Sequence, residues 1–191
     1  MQRRINMPKK LFLVLFLIIL IVSACQNIQT EVAPTLEGEP FELYLVSDKL
    51  MTAAELKDYE LDELPLTAEP FIRTENIHNF LWEEQMFNLK EQAYKSLLYL
   101  MTDNIPLSGL PFVVVSYGER IYTGAFWSPF SSASFDGVVI PQPLDPAGMP
   151  LFITLGYPTE DFFTGEDPRY DPRLKEALDN ADLLWDGETE E

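Results

Sequence analysis

The chain has 191 residues, 31 of them acidic and 13 basic, with a formal net charge of −18, one cysteine and one histidine. A single cysteine excludes an internal disulfide framework, and a single histidine excludes a His-rich zinc site and any catalytic triad not built on His78. The surplus of acid excludes an electrostatic grip on nucleic acid or on anionic lipid headgroups.

In chain order, Arg3, Arg4, Lys9 and Lys10 come first, followed by LFLVLFLIILIVSA from Leu11 to Ala24. Spanning a bilayer takes roughly 20 apolar residues, so a shorter run behind a basic head predicts a secretory signal over residues 1–24. Val22, Ser23 and Ala24 precede Cys25, and this stretch resembles the lipobox of bacterial lipoproteins. The resemblance implies that Cys25 carries a diacylglyceryl group, with further acyl chains such as palmitate, and becomes the mature N-terminus. The mature protein is then expected at the membrane, lipid-anchored and facing outside the cytoplasm. Gln26, in place of Asp, leans toward the outer membrane in a cell that has two.

All 31 acids lie after Cys25, against 9 of the basic residues, so the mature charge is −22. The lipid must therefore do the anchoring. Residues 25–39 read as a polar flexible tether, residues 40–185 as a single domain, and residues 186–191 as an acidic tail.

Within the domain, Phe41–Val46 alternates as a strand. Thr52 and Glu55 stand at capping-box spacing and predict a short helix. A second short turn is expected at Thr67. Asn79–Leu89 reads as one strand, and Asn88 with Glu91 predicts the cap of a helix running to Met101, with Leu89, Ala93, Leu97, Leu100 and Met101 on its apolar side. Pro111–Trp127 is the strongest hairpin signal, two β-branched runs around Gly118. Two more strands are expected from Gly137 and from Leu151. Asp171-Pro172 opens a final helix with Leu174, Ala177, Leu178, Ala181 and Trp185 on one face. These elements predict an α+β domain: a mostly antiparallel sheet of about five strands with helices packed on one face.

The run Leu66-Thr67, MFNLKEQAYKSL, PFVVVSYGERIYTGAF, Ser128-Pro129 and DGVVI, within residues 63–141, resembles the extracytoplasmic head domain of SecD-type translocase subunits. The resemblance implies a fold of that kind and a non-catalytic role. It carries over no functional residue, and the aromatic-serine loop stands where that family has a glycine-rich one.

The search for chemistry yields little. No G-x-S-x-G elbow or S-x-x-K accompanies His78. Trp82-Glu83-Glu84 offers the carboxylates and ring of a glycosidase, although such adjacency is expected among 31 acids. Glu160, Asp161, Glu166 and Asp167, with Asp171, could hold calcium, which takes 6–8 hard oxygen ligands, but the spacing does not match an EF-hand loop. The stretch Gly124–Gly137 sets Phe126, Trp127, Phe130 and Phe135 among four serines, a composition that suits either a contact surface or a loop folded over its own core. The expected function is a non-enzymatic, membrane-tethered interaction or assembly module with a protein partner and no cofactor. The alternatives are a binding protein for a small ligand or calcium, and, third, a hydrolase.

Overall fold

The computed structural model describes residues 38–142 and 150–186. These fold as β1 (Glu42–Leu45), β2 (Ile72–Arg73), β3 (Ile77–Leu81), β4 (Met86–Leu89), α1 (Glu91–Asn104), β5 (Leu110–Ser116), β6 (Glu119–Trp127), β7 (Phe135–Pro141), β8 (Leu151–Phe152), β9 (Thr154–Tyr157) and α2 (Pro172–Asn180), with short 3-10 turns between them. The protein mixes helices and strands, as expected. The expected sheet of about five strands is corrected to two sheets. One has six strands in the order β2-β1-β5-β6-β7-β9, and the other has three in the order β3-β4-β8. In the larger sheet β6 and β7 run parallel, and the other neighbours are antiparallel.

Three causes account for the miscount. β2 is two residues long, too short to show alternation, and the single strand expected from Leu151 divides into β8 and β9, which join different sheets. Asn79–Leu89, expected as one strand, is a hairpin: Gln85 takes a φ of 48°, and Phe80 pairs with Phe87 across the turn. The Asn88 side chain, expected to cap α1, instead donates from Nδ2 to Asn79 Oδ1 at 2.7 Å across that hairpin. Lys90 stands at the N-cap of α1. The expected helix at Thr52 is a 3-10 turn, Ala53–Asp58, and its Glu55 carboxylate accepts from the Thr52 N–H at 2.7 Å and the Thr52 hydroxyl at 2.8 Å.

Strand alternation sorts side chains to two faces. Phe112, Val114, Tyr122, Phe126, Val138 and Ile140 point to one side of the larger sheet, into a core completed by Tyr94, Leu97 and Met101 of α1, Leu174 and Leu178 of α2, and Phe80 and Phe87 of the small sheet. Phe80 and Phe87 are stacked there, with centroids 6.1 Å apart and an interplanar angle of 7°. Val113, Val115, Ala125, Trp127, Phe135 and Val139 point to the other side, beneath Met51, Ala53, Leu56 and Leu64. Both faces of the sheet are thus covered: α1, α2 and the small sheet on one, the irregular stretch between β1 and β2 on the other.

The β5–β6 hairpin turns at Tyr117 (φ 47°) and Gly118 (φ 79°), the positive angles that a two-residue primed turn needs. Helix α2 is capped by the Asp171 carboxylate, which accepts from the Arg173 N–H at 2.9 Å, with Pro172 in its first turn. Among the described residues no helix is long and apolar enough to cross a membrane. Cys25, the tether up to residue 37 and the acidic tail from residue 187 lie outside the described residues.

Candidate contact surface

The aromatic-serine stretch divides. Phe126 faces the larger core, and Trp127 and Phe135 are buried on the opposite face, their rings stacked with centroids 5.2 Å apart and an interplanar angle of 9°. Tyr157 packs on Trp127 at 5.3 Å. The expected surface of four rings is therefore corrected to one, because successive residues of β6 alternate between two covered faces. Phe130 alone points outward, 79% exposed.

The loop that carries Phe130 is held by its serines. Ser131 Oγ donates to the Leu107 carbonyl at 2.6 Å, and Ser128 Oγ accepts from the Phe130 N–H at 3.3 Å. Ser131 Oγ also accepts from the Ala133 N–H at 3.2 Å, and the Tyr157 hydroxyl donates to the Pro129 carbonyl at 3.3 Å. Ser128 and Ser131 are both buried. Small hydroxyls here satisfy loop backbone groups that no strand partner reaches.

Two neighbouring loops end the same way. The turn before β5 has a Gly109 N–H to Pro106 carbonyl bond of 3.0 Å and leaves Leu107 59% exposed. The stretch after β1 is tied to that turn by the Ala53 N–H, which donates to the Ser108 carbonyl at 3.1 Å, and it leaves Leu50 88% exposed. Gly109 has a φ of +80°, and a Cβ there would lie 2.6 Å from the Trp127 ring and 2.9 Å from the Ala53 Cβ. Only glycine lets the turn, the ring and the 3-10 segment close on one another. Leu50, Leu107 and Phe130 are thus displayed where β1 ends, β5 begins and β6 ends, on three loops of which the turn before β5 is bonded to each of the other two. Leu50 and Leu107 carry no periodic signal, and sequence reasoning missed both.

Beside these loops a cavity of about 300 Å³ is lined by Ala53, Leu56, Lys57, Thr123, Phe135 and Asp136. Asp136 accepts from the Thr164 hydroxyl at 2.6 Å and from its N–H at 2.7 Å, and these bonds hold its carboxyl below the usual carboxylate range. Of the cavity's polar side chains, Asp136 is committed in this way to Thr164.

The four acids expected to hold calcium are not gathered. Glu160 and Asp161 sit exposed on one 3-10 turn, and Glu166 is exposed. Asp167 is committed to Arg169, whose Nη2 lies 2.6 Å from its Oδ2. Burial opposes ionisation of Asp167, but the hydrogen bonds from Arg169 outweigh it and hold the carboxyl low. Arg169 Nη1 donates in turn to the Ile153 carbonyl at 2.5 Å, at the point where the chain passes from β8 of the small sheet to β9 of the large one. The pair is a structural tie. Among the described residues no group of three or more His, Cys, Asp or Glu could hold a metal ion. His78 is exposed on β3, and Glu83 and Glu84 are exposed at the β3–β4 turn.

No family model, curated protein or solved structure matches the chain.

Proposed function

We propose that this protein is a lipid-anchored extracytoplasmic lipoprotein, tethered through Cys25, that works as a non-enzymatic interaction or assembly module. The observation that carries the reading is the display of Leu50, Leu107 and Phe130 on three loops, two of which are hydrogen-bonded to the turn that bears Leu107. Scattered exposed apolar residues are ordinary on a protein surface. Three of them on adjoining, braced loops at one end of a sheet favour a contact surface at that end. The sequence resemblance to SecD-type head domains supports the non-catalytic role through the order of the Gly118 hairpin, the Ser128-Pro129 segment and the strand after it.

The test is a pair of variants in the native membrane. Cys25→Ser should leave the protein folded but release it from the membrane fraction. Leu107→Ser with Phe130→Ser should leave anchoring and unfolding midpoint unchanged and abolish co-purification of a stoichiometric partner. Retention of Cys25→Ser in the membrane would refute the anchor. An unaltered partner complex in the double variant would refute the surface.

A further inference from the structure

We propose that the cleft between the β3–β4 turn and the segment after α2 binds a linear polyamine, an aliphatic chain that carries two or three ammonium groups. The site is separate from the Leu50, Leu107 and Phe130 surface and does not depend on that reading.

The cleft has a volume of about 380 Å³ and is lined by Trp82, Glu83, Glu84, Leu184, Trp185 and Asp186. Small-molecule sites run from roughly 300 to 1,000 Å³. Two stretches far apart in the chain make the cleft, and backbone bonds join them. The Phe80 N–H donates to the Leu183 carbonyl at 2.7 Å, and the Trp185 N–H donates to the Phe80 carbonyl at 2.9 Å. The chain after α2 thus runs parallel to β3 at Phe80 and Leu184, which carries Trp185 to the turn that bears Trp82. The turn is held in its own right. The Tyr170 hydroxyl donates to the Glu83 carbonyl at 3.0 Å, and Gln85 Nε2 donates to the Trp82 carbonyl at 2.9 Å. Walls fixed through the backbone need little further ordering when a ligand enters.

The lining selects the class of ligand. Indole rings supply apolar area and electron-rich faces that attract cations. One of them already does so within the fold: Lys175 Nζ stands 5.7 Å from the centre of the Trp82 ring. Three of the six lining residues are acidic and none is basic, so the local balance stays negative with Lys175 counted. Such a cleft attracts a cation and repels an anion. A neutral sugar would use the rings and leave that charge unanswered. A metal ion is disfavoured by spacing, because among the described residues no three acidic side chains converge as a metal requires. Glu84 also borders a second cavity, of about 400 Å³, with Glu160 and the Arg169 side chain that pairs with Asp167. The carboxylates are therefore spread along the surface, and a cation that meets several of them is an extended one. Its methylenes lie against the rings while its ammonium groups meet the acids.

The test is titration calorimetry on the full chain at about 0.15 M salt, where charges further apart than about 8 Å are largely screened. Spermidine should bind at one site per chain. It should bind at least about five-fold more tightly than butylamine, which has one charge, and than hexaamminecobalt(III), a compact trivalent cation without an aliphatic stem. Glu83→Gln with Glu84→Gln, both exposed, should keep the unfolding midpoint and weaken spermidine about five-fold. Trp185→Ala should weaken it about ten-fold. Asp58→Asn with Glu60→Gln removes two acids equally exposed in the stretch over the opposite face of the large sheet, and should change binding less than about two-fold. Equal losses in the two double variants, or several equivalent sites per chain, would reveal a diffuse ion atmosphere and overturn the site. Hexaamminecobalt(III) or butylamine binding as tightly as spermidine would overturn the ligand class. So would Trp185→Ala without effect in a protein of unchanged midpoint. Absence of saturable spermidine binding up to about 1 mM would overturn the proposal outright.

Discussion

Ser131 Oγ lies 2.6 Å from the Leu107 carbonyl oxygen, joining the β6–β7 loop to the turn before β5 across 24 residues of sequence. Ser131 is buried, so its removal leaves that carbonyl without its hydroxyl donor. A bond of this kind contributes about 1 kcal/mol net, and the cost of an unpaired buried group is about 1–3 kcal/mol. Ser131→Ala should lower unfolding free energy by about 1–2 kcal/mol in urea titration, with faster amide exchange at Phe130 and Ala133. Unchanged exchange would mean that the serine does not brace the loop.

Trp127 and Phe130 sit three residues apart and should respond oppositely to truncation. Trp127 is 2% exposed and stacked on Phe135, and a buried aromatic replaced by alanine costs about 3–5 kcal/mol. Phe130 projects into solvent, where substitutions change stability by no more than about 0.5 kcal/mol. Denaturant midpoints of Trp127→Ala and Phe130→Ala separate the two, and a large loss for Phe130→Ala would contradict its outward placement.

The Tyr122 hydroxyl is buried with no hydrogen-bond partner among the described residues, and burial pushes its phenol well above the ordinary value of 10.0. An unpaired buried hydroxyl is a net cost. Tyr122→Phe keeps the ring and removes the oxygen, so stability should hold or rise, by up to about 1 kcal/mol. A loss above that size, measured by thermal or chemical unfolding, would show that the hydroxyl is satisfied.

Asp171 supplies the pH prediction. The Arg173 guanidinium, at 2.8 Å from Nη2 to Oδ2, and the Arg173 N–H hold its carboxyl below the ordinary value of 3.8. A carboxyl depressed in the folded state stabilises fully above its unfolded value, and this contribution is lost as pH falls through the folded one. Asp136 and Asp167 are depressed in the same direction. The unfolding midpoint should therefore be flat above about pH 5 and fall below about pH 4. Asp171→Asn, which can still cap α2, should show a lower plateau and a shallower acid fall. Asp171→Ala should also lose the cap, at about 1 kcal/mol. An acid limb identical to wild type in Asp171→Asn would rule out the role of the charge.

The elements legible in the sequence are those whose signal is local. Two β-branched runs around Gly118 specify the β5–β6 hairpin, because a primed turn needs positive φ and glycine adopts it without strain. Asp171-Pro172 specifies the start of α2 for an equally local reason. The β3–β4 turn was illegible because Trp82-Glu83-Glu84-Gln85 has no glycine, proline or asparagine. Its reversal is secured by distant contacts, among them Gln85 O accepting from the Ile153 N–H at 2.8 Å and the Tyr170 hydroxyl donating to Glu83 O at 3.0 Å.

The same division holds at the contact surface. Composition alone marked Gly124–Gly137 as unusual and showed that a chain with one histidine and one cysteine has few routes to catalysis or zinc. Alternation along β6 guaranteed that Phe126 and Trp127 point opposite ways. Neither could say that both directions are inward. That depends on the Ala53–Asp58 segment lying over one face and α1, α2 and the small sheet over the other, contacts made between residues far apart in the chain. Which aromatic is left in water is a property of what covers the sheet, so Phe130, Leu107 and Leu50 became a surface only when three loops closed on one another.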